Sequence, residues 1–468
     1  GASGSPRLCL PPALGGVCAA ACRPGDICSG STSCVPFARD GDGDGRTESV
    51  AYGCAPWAPG ARYPGMICST DADCRSLLCR GGVCTVLCRD DSGCDPMTTC
   101  SPYPLPTDAG AASFLACTLT PVTDARIAEV SLPTQTIPSG AEGRLTRFWV
   151  PPGAVSLTVI ARQRGAVGGY VGVLNAHDPA GERIYDYDDF AAGRDTPNWH
   201  IPDSRIGSLF IPISNRVTFR PGRYMYTPVF FPPDRTTVIT DDIDFTALVK
   251  FDPGGAVAGR LSANFIFANP DAVNAATART NARFQAALAE WQAIFGAAGI
   301  TVSGFTYTDL PAAAAATYRV VDYGADIDTG EVGPLMAQSA GRTEWSVNVF
   351  FIHDFSGWGL LGIAGGVPGP STVHGTTHSG VIVCLDCAWL VGGAFLGQVI
   401  AHEVGHYLGL FHSTENTGST GYPYGGDPIA DTREGDRSNL MYWEARGGRS
   451  LSAGQGWVIR RSPTVLPP

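Results

Sequence analysis

Eleven consecutive residues combine metal ligands with an acid: His402-Glu403-Val404-Gly405-His406-Tyr407-Leu408-Gly409-Leu410-Phe411-His412. Residues four apart share one face of a helix, so His402 and His406 can offer two imidazoles to a single ion. Glu403 lies beside His402, where it can reach a water on that ion without being a ligand itself. Gly409 suits the positive φ that ends a helix, after which the chain can bend and return His412 as a third ligand. Three nitrogen ligands with one open position are the arrangement of catalytic rather than structural zinc. Zinc so held polarises a carbonyl, acidifies a water and steadies an oxyanion, with Glu403 as the general base that hands its proton to a leaving amine.

These side chains need a rigid frame. Leu396, Ile400, Val404 and Leu408 form a stripe that anchors a helix over roughly 393–409. Strands are predicted at Leu261–Ala268, Ile300–Tyr307, Ser346–Ile352 and Gly380–Leu385. The third is apolar throughout, as a strand buried on both faces should be. Between the first two, a long helix capped by Asp271 carries Phe284, Leu288, Trp291 and Phe295 on one face and ends at Gly296 and Gly299. Residues 356–379 read as a long loop.

The stretch at 402–412 matches HExxHxxGxxH at every fixed position, and from about 257 to 468 the chain resembles the metzincin zinc peptidases. The resemblance implies an α/β catalytic domain, with upper and lower subdomains around a horizontal cleft and a methionine turn beneath the metal. Asn439-Leu440-Met441-Tyr442 supplies that turn. Within the clan the likeness is to the pappalysins, through Asp431-Thr432, Asn439-x-Met441 and Ser452-Ala-Gly-Gln455. Departures are Arg433, where those enzymes usually have proline, and the lack of any cysteine after Cys387. Trp443 stands where some metzincins place a metal-touching tyrosine, so that role is not carried over. Tyr442 is expected to line a specificity pocket or pack in the core.

Other residues invite smaller readings. Asp427 and Asp431 can hold calcium below the cleft or lie solvated in a loop. Asp40, Asp42 and Asp44, with Gly45, resemble the start of a calcium loop, but Ala51 takes the place of the bidentate Glu of an EF-hand. Cys384 and Cys387 read as a local disulfide near the cleft, with a free thiolate as the alternative. His353-Asp354, His374 and His378 flank or occupy the loop before the last strand. A second zinc there is the sharper reading and exposed loop histidines the plainer one. His177 and His200 read as surface residues.

The rest of the 468-residue chain points outside the cell. Fourteen of its sixteen cysteines lie between Cys9 and Cys117, a density suited to disulfides in an oxidising compartment. Cys18, Cys22, Cys28 and Cys34 are spaced four, six and six apart, and Cys84, Cys88, Cys94 and Cys100 repeat the series. Residues 1–122 are therefore read as two related disulfide modules, each able to pair internally, with the connectivity open. Residues 123–256 lack cysteine and alternate short Val-, Ile-, Phe- and Tyr-rich runs with Gly, Pro and Asp turns, which suggests an antiparallel β-sandwich. Residues 257–468 are the α/β peptidase-like domain, a mixed sheet carrying the active-site helix.

A net charge of −11, from 43 acidic and 32 basic residues, argues against nucleic acid or an anionic membrane as the main partner. No leader is seen in residues 1–20 and no run of about twenty apolar residues follows, so a secreted mature form without a transmembrane segment is expected. The function expected is zinc-dependent endoproteolysis of extracellular proteins, with the N-terminal modules binding substrate or a cell surface. The alternative is an adhesion or binding protein whose peptidase domain is latent or vestigial. Lys250 is the only lysine, which reads as coding bias.

Overall fold

The computed structural model describes residues 7–468 except 12–13, 15, 17, 166–167, 202–204, 233–236, 269–272, 325–326, 329, 343–344, 357–358, 417–424 and 445–447. The protein is mostly β-sheet, with a disulfide-rich N-terminal region and, further on, a mixed sheet accompanied by few helices.

Disulfides do most of the work in the first 118 residues, where small and polar side chains leave little to bury. Strands β1 (Thr32–Arg39) and β2 (Ser49–Pro56) form one antiparallel hairpin, and β3 (Thr99–Thr107) and β4 (Gly110–Thr118) form another. The pairing explains the repeat. Cys22–Cys34 and Cys28–Cys54 pin the first hairpin; Cys88–Cys100 and Cys94–Cys117 pin the second in the same way. Cys9–Cys18, Cys68–Cys79 and Cys74–Cys84 complete the set, so neither half shares a bridge with the other.

Two antiparallel sheets follow. One contains β5 (Arg126–Pro138), β8 (Ala154–Gln163), β11 (Ile206–Ile211) and β13 (Thr240–Phe251), in the order β11-β8-β13-β5. The other is built on β12 (Gly222–Phe231), which pairs with β6 (Ala141–Glu142), β7 (Thr146–Val150) and β9 (Tyr170–His177), and β9 pairs onward with β10 (Arg183–Asp186). They face each other across an aromatic core in which the rings of Tyr226 and Phe245 lie 6.2 Å apart. His200, expected at the surface, belongs to this core. It is 1% exposed, accepts a hydrogen bond at Nε2 from the Val173 amide, and faces Tyr185 edge-on. Burial lowers its pKa to about 4, so it packs as a neutral, satisfied side chain. His177 is half-buried, with its Nδ1 inside.

The last sheet has the order β15-β14-β16-β18-β17: β14 (Gly259–Phe267), β15 (Ile300–Asp309), β16 (Ser346–Ile352) and β18 (Val381–Cys384) run parallel, and β17 (Gly362–Ala364) closes one edge antiparallel. Strand β16 is buried at every residue, as its apolar run requires. Helix α1 (Ala282–Ala297) packs on the sheet through Phe284, Leu288, Trp291 and Phe295, all buried, each contributing about 1.5–3 kcal/mol of transfer free energy. Its N-cap is Asn281, whose side chain accepts hydrogen bonds from the amides of Arg283 and Phe284, a contribution of about 1 kcal/mol. Asp271 lies outside the described residues. Beyond β18 come the short helix α2 (Leu385–Trp389), then α3 (Gly393–Tyr407) and finally α4 (Ala453–Arg461).

One hydrophobic core runs without a break from the paired antiparallel sheets into the mixed sheet and its helices. Lys250 helps to join them. Its Nζ is buried and donates to the carbonyls of Arg460 (2.5 Å), Ser462 (3.2 Å) and Val465, tying β13 to the end of α4 and the chain's last residues. Three accepting carbonyls make an ammonium the fitting group, which gives the single lysine a structural role. An amine-acylating reagent is therefore expected to leave Lys250 unmodified in the folded protein and to modify it fully in concentrated denaturant, as peptide mass mapping would show. Labelling in the folded state would contradict this packing.

Candidate metal centre

Helix α3 is held by the stripe read from the sequence, since Leu396, Ile400, Val404 and Leu408 are all buried. It places His402 and His406 side by side. Gly409 then takes φ +110°, and the chain turns to bring in His412. The three Nε2 atoms lie 3.1 Å (His402–His406), 3.1 Å (His406–His412) and 3.3 Å (His402–His412) apart.

The other ring nitrogens fix the tautomers. His402 Nδ1 donates to the Leu440 carbonyl at 2.7 Å, and His406 Nδ1 to the Leu410 carbonyl at 2.6 Å. His412 Nδ1 meets the Glu415 carboxylate at 2.8 Å. With every Nδ1 engaged by an acceptor, each ring in its neutral form turns the lone pair of Nε2 toward the other two, the arrangement a shared cation would satisfy. Tetrahedral ligands about 2.0–2.1 Å from a shared ion stand roughly 3.3–3.4 Å apart, so the spacing suits a cation bound by all three. Burial keeps the two helix-borne rings neutral, lowering the pKa of His402 to about 3 and that of His406 well below its usual value.

Glu403 faces the same space. Burial raises its pKa to about 8, and none of the three rings bonds to it. It packs against the edge strand β17 so closely that a Cβ on Gly362 would lie 2.6 Å from its Cγ and 2.8 Å from its Oε1. Gly362 is thus part of the site, and sequence reading missed it because nothing local marks a glycine whose constraint comes from another element. Gly362→Ala is expected to displace the Glu403 carboxylate while the three histidines keep their metal affinity. A crystal structure or a metal titration of the variant would check this.

Met441 packs against α3 at Gly405. It is fully buried, and a Cβ on Gly405 would come within 2.8 Å of its Sδ. The turn around it is tied to α4, with Asn439 Nδ2 donating to Gln455 Oε1 at 2.9 Å and Asn439 Oδ1 accepting the Met441 amide at 2.9 Å. Tyr442 neither lines the cleft nor enters the core. It is half-buried under the Arg437 guanidinium, 5.7 Å from the ring centre, because the turn rotates Trp443 toward the cleft instead.

The site opens into a cleft of about 1380 Å³ whose walls include Leu360, Phe395, Phe411, Trp443 and Glu444. Cys384 and Cys387 form a disulfide, and Cys387 lies on the cleft wall. Asp354 stands beside them, but bridged sulfurs have no thiolate to offer an ion. The four residues around the preceding loop go to separate partners. His353 binds Asp386 and Asp354 faces the disulfide, while His374 meets Asn348 at 2.8 Å. His378, expected in an exposed loop, is fully buried 3.6 Å from Asp328, because the loop folds back onto the core.

The acidic candidates are held by protein donors. Asp427 accepts from the Thr432 hydroxyl (2.5 Å) and the Ile429 amide (3.0 Å), and burial raises its pKa to about 7. Asp431 accepts from the Ser452 hydroxyl and the Gly454 amide at the start of α4. In the N-terminal loop Asp40 receives the amides of Gly43 and Gly45, which lower its pKa, while Asp42 and Asp44 take those of Asp44 and Arg46. No protein-family model matches the chain, and none of the curated proteins matches it either.

Proposed function

We propose that the chain is a zinc-dependent endopeptidase of the metzincin type, nearest in character to the pappalysins, acting on extracellular proteins. The observation that carries this reading is the convergence of three Nε2 atoms beside a buried carboxyl group, inside an open cleft. Zinc held there would supply a polarising charge for a carbonyl and a water. The chain's own part is to position and to move protons. Leu440, Leu410 and Glu415 hold the three rings in the tautomer that leaves Nε2 free. Glu403, with a pKa raised toward the working pH, takes a proton at its carboxylate and returns it to the departing amine. The apolar walls hold an extended peptide over the histidines.

The residues that line the cleft run from Tyr323 to Glu444, so the described part of the N-terminal half does not plug it. That supports an accessible site over a latent one. Eight disulfides and the absence of any described helix long and apolar enough to cross a membrane are compatible with an extracellular setting. The test is cleavage of casein or gelatin by the purified protein, with a chelator control and zinc add-back. Chelator-sensitive cleavage is expected. A protein that binds one zinc and cleaves nothing would instead favour a binding role.

A further inference from the structure

The turn that delivers His412 does not stand alone. It leans on the sheet formed by β5, β8, β11 and β13 and on the loops beside it. A Cβ on Gly409 would lie 3.0 Å from Phe210 Cδ1 and 3.6 Å from Ile213 Cγ1, so the backbone of the turn rests directly on these side chains. Two residues on, Phe411 meets Trp199 edge-to-face, with centroids 5.2 Å apart and planes at 75°. Between them, the Leu410 carbonyl orients His406. Three successive residues therefore link the sandwich to two of the three ligands.

The supporting wall is itself stiff. Asn198, fully buried, donates to the Phe210 carbonyl (3.0 Å) and accepts the Ile213 amide (2.9 Å). Trp199 Nε1 donates to the Thr196 carbonyl (3.1 Å), and the Ser214 hydroxyl to the Pro197 carbonyl (2.6 Å). A second strut, Asn215, accepts the Ala430 amide at 3.0 Å on the approach to the methionine turn. A wall locked by its own hydrogen bonds transmits position, because a close-packed interior has little room to give.

We infer that the β-sandwich is a positioning element of the metal centre: Trp199, Phe210 and Ile213 set the turn Gly409–Phe411, and through it the approach of His412 to His402 and His406. This rests on the metal-binding reading above. Residues 123–256 then act on the chemistry without touching substrate or ion.

The test is titration of the full-length, metal-stripped protein with Co²⁺, comparing wild type, Trp199→Leu, Phe210→Leu and the control Phe148→Leu. Phe148 is equally buried but lies on β7, in the far sheet. Affinity is expected to fall about 10–100-fold in the two wall variants, as for groups that orient metal ligands, with a shifted Co²⁺ visible spectrum. The control should lose thermal stability yet keep wild-type affinity and spectrum. Trp199→Phe, which trims only the ring edge, serves where Trp199→Leu does not fold. Wall variants matching the control in affinity and spectrum would overturn the inference. A wild-type protein that binds no Co²⁺ would overturn the metal-binding reading, and the inference with it.

Discussion

Glu403→Gln is expected to lower peptide hydrolysis by about 10²–10⁴-fold, the span associated with loss of a positioned general base, while leaving zinc affinity unchanged. The same substitution should stabilise the metal-free protein at alkaline pH. Burial raises the Glu403 pKa to about 8 from its ordinary 4.5, so between those values the folded state holds a proton that the unfolded state has lost. Stability contributed by this group is therefore full at low pH and declines as pH rises through the window. At 1.36 kcal/mol per pKa unit, the deficit reaches on the order of 4 kcal/mol at pH 8. Glutamine carries no such penalty. Chemical denaturation of both proteins, metal-free, should show little difference near pH 4 and a more stable variant at pH 8. A variant that remains active, or a stability difference independent of pH, would remove Glu403 from its role.

His406→Ala should abolish tight zinc binding. Its Nε2 lies 3.1 Å from each of the other two, so the substitution removes one of three converging donors. Loss of a ligating ring should cost more than the 10–100-fold in affinity typical of the groups that orient ligands, and activity at limiting zinc should vanish. Glu415→Gln, which weakens only the support of His412 Nδ1, should fall within that smaller range. Equilibrium dialysis against a competing chelator would rank the three proteins. Equal affinity for His406→Ala and wild type would show that the ion, if bound, sits elsewhere.

The elements that follow a local period were legible from the sequence. The stripe on α3, the face of α1 and the continuous apolar run of β16 each declare themselves through spacing alone. The metal ligands were legible because one helix turn and one glycine bring them together. What escaped notice depends on contacts that leave no local pattern, most of them between distant segments. Glu415 orients His412 across only three residues, yet a lone glutamate after a histidine carries no marker of that role. Gly362 is constrained by a side chain forty-one positions away. Asn281 caps α1, and the turns between Asn274 and Asn281 that precede the helix carry no period that would mark the cap. His200 and His378 were read as exposed because polar residues in turn-rich stretches usually are, whereas both are carried inward by packing. Lys250 is the plainest case, since only the fold places three carbonyls from residues 460–465 around its amine.

The central claim is that His402, His406 and His412 jointly bind one catalytic zinc. X-ray absorption at the zinc edge, on protein loaded with one equivalent, tests it most directly. Three or four nitrogen or oxygen neighbours at about 2.0–2.1 Å, with imidazole outer-shell scattering and no sulfur, is the predicted result. Sulfur neighbours at about 2.3 Å, or a protein that retains no zinc after buffer exchange, would contradict it.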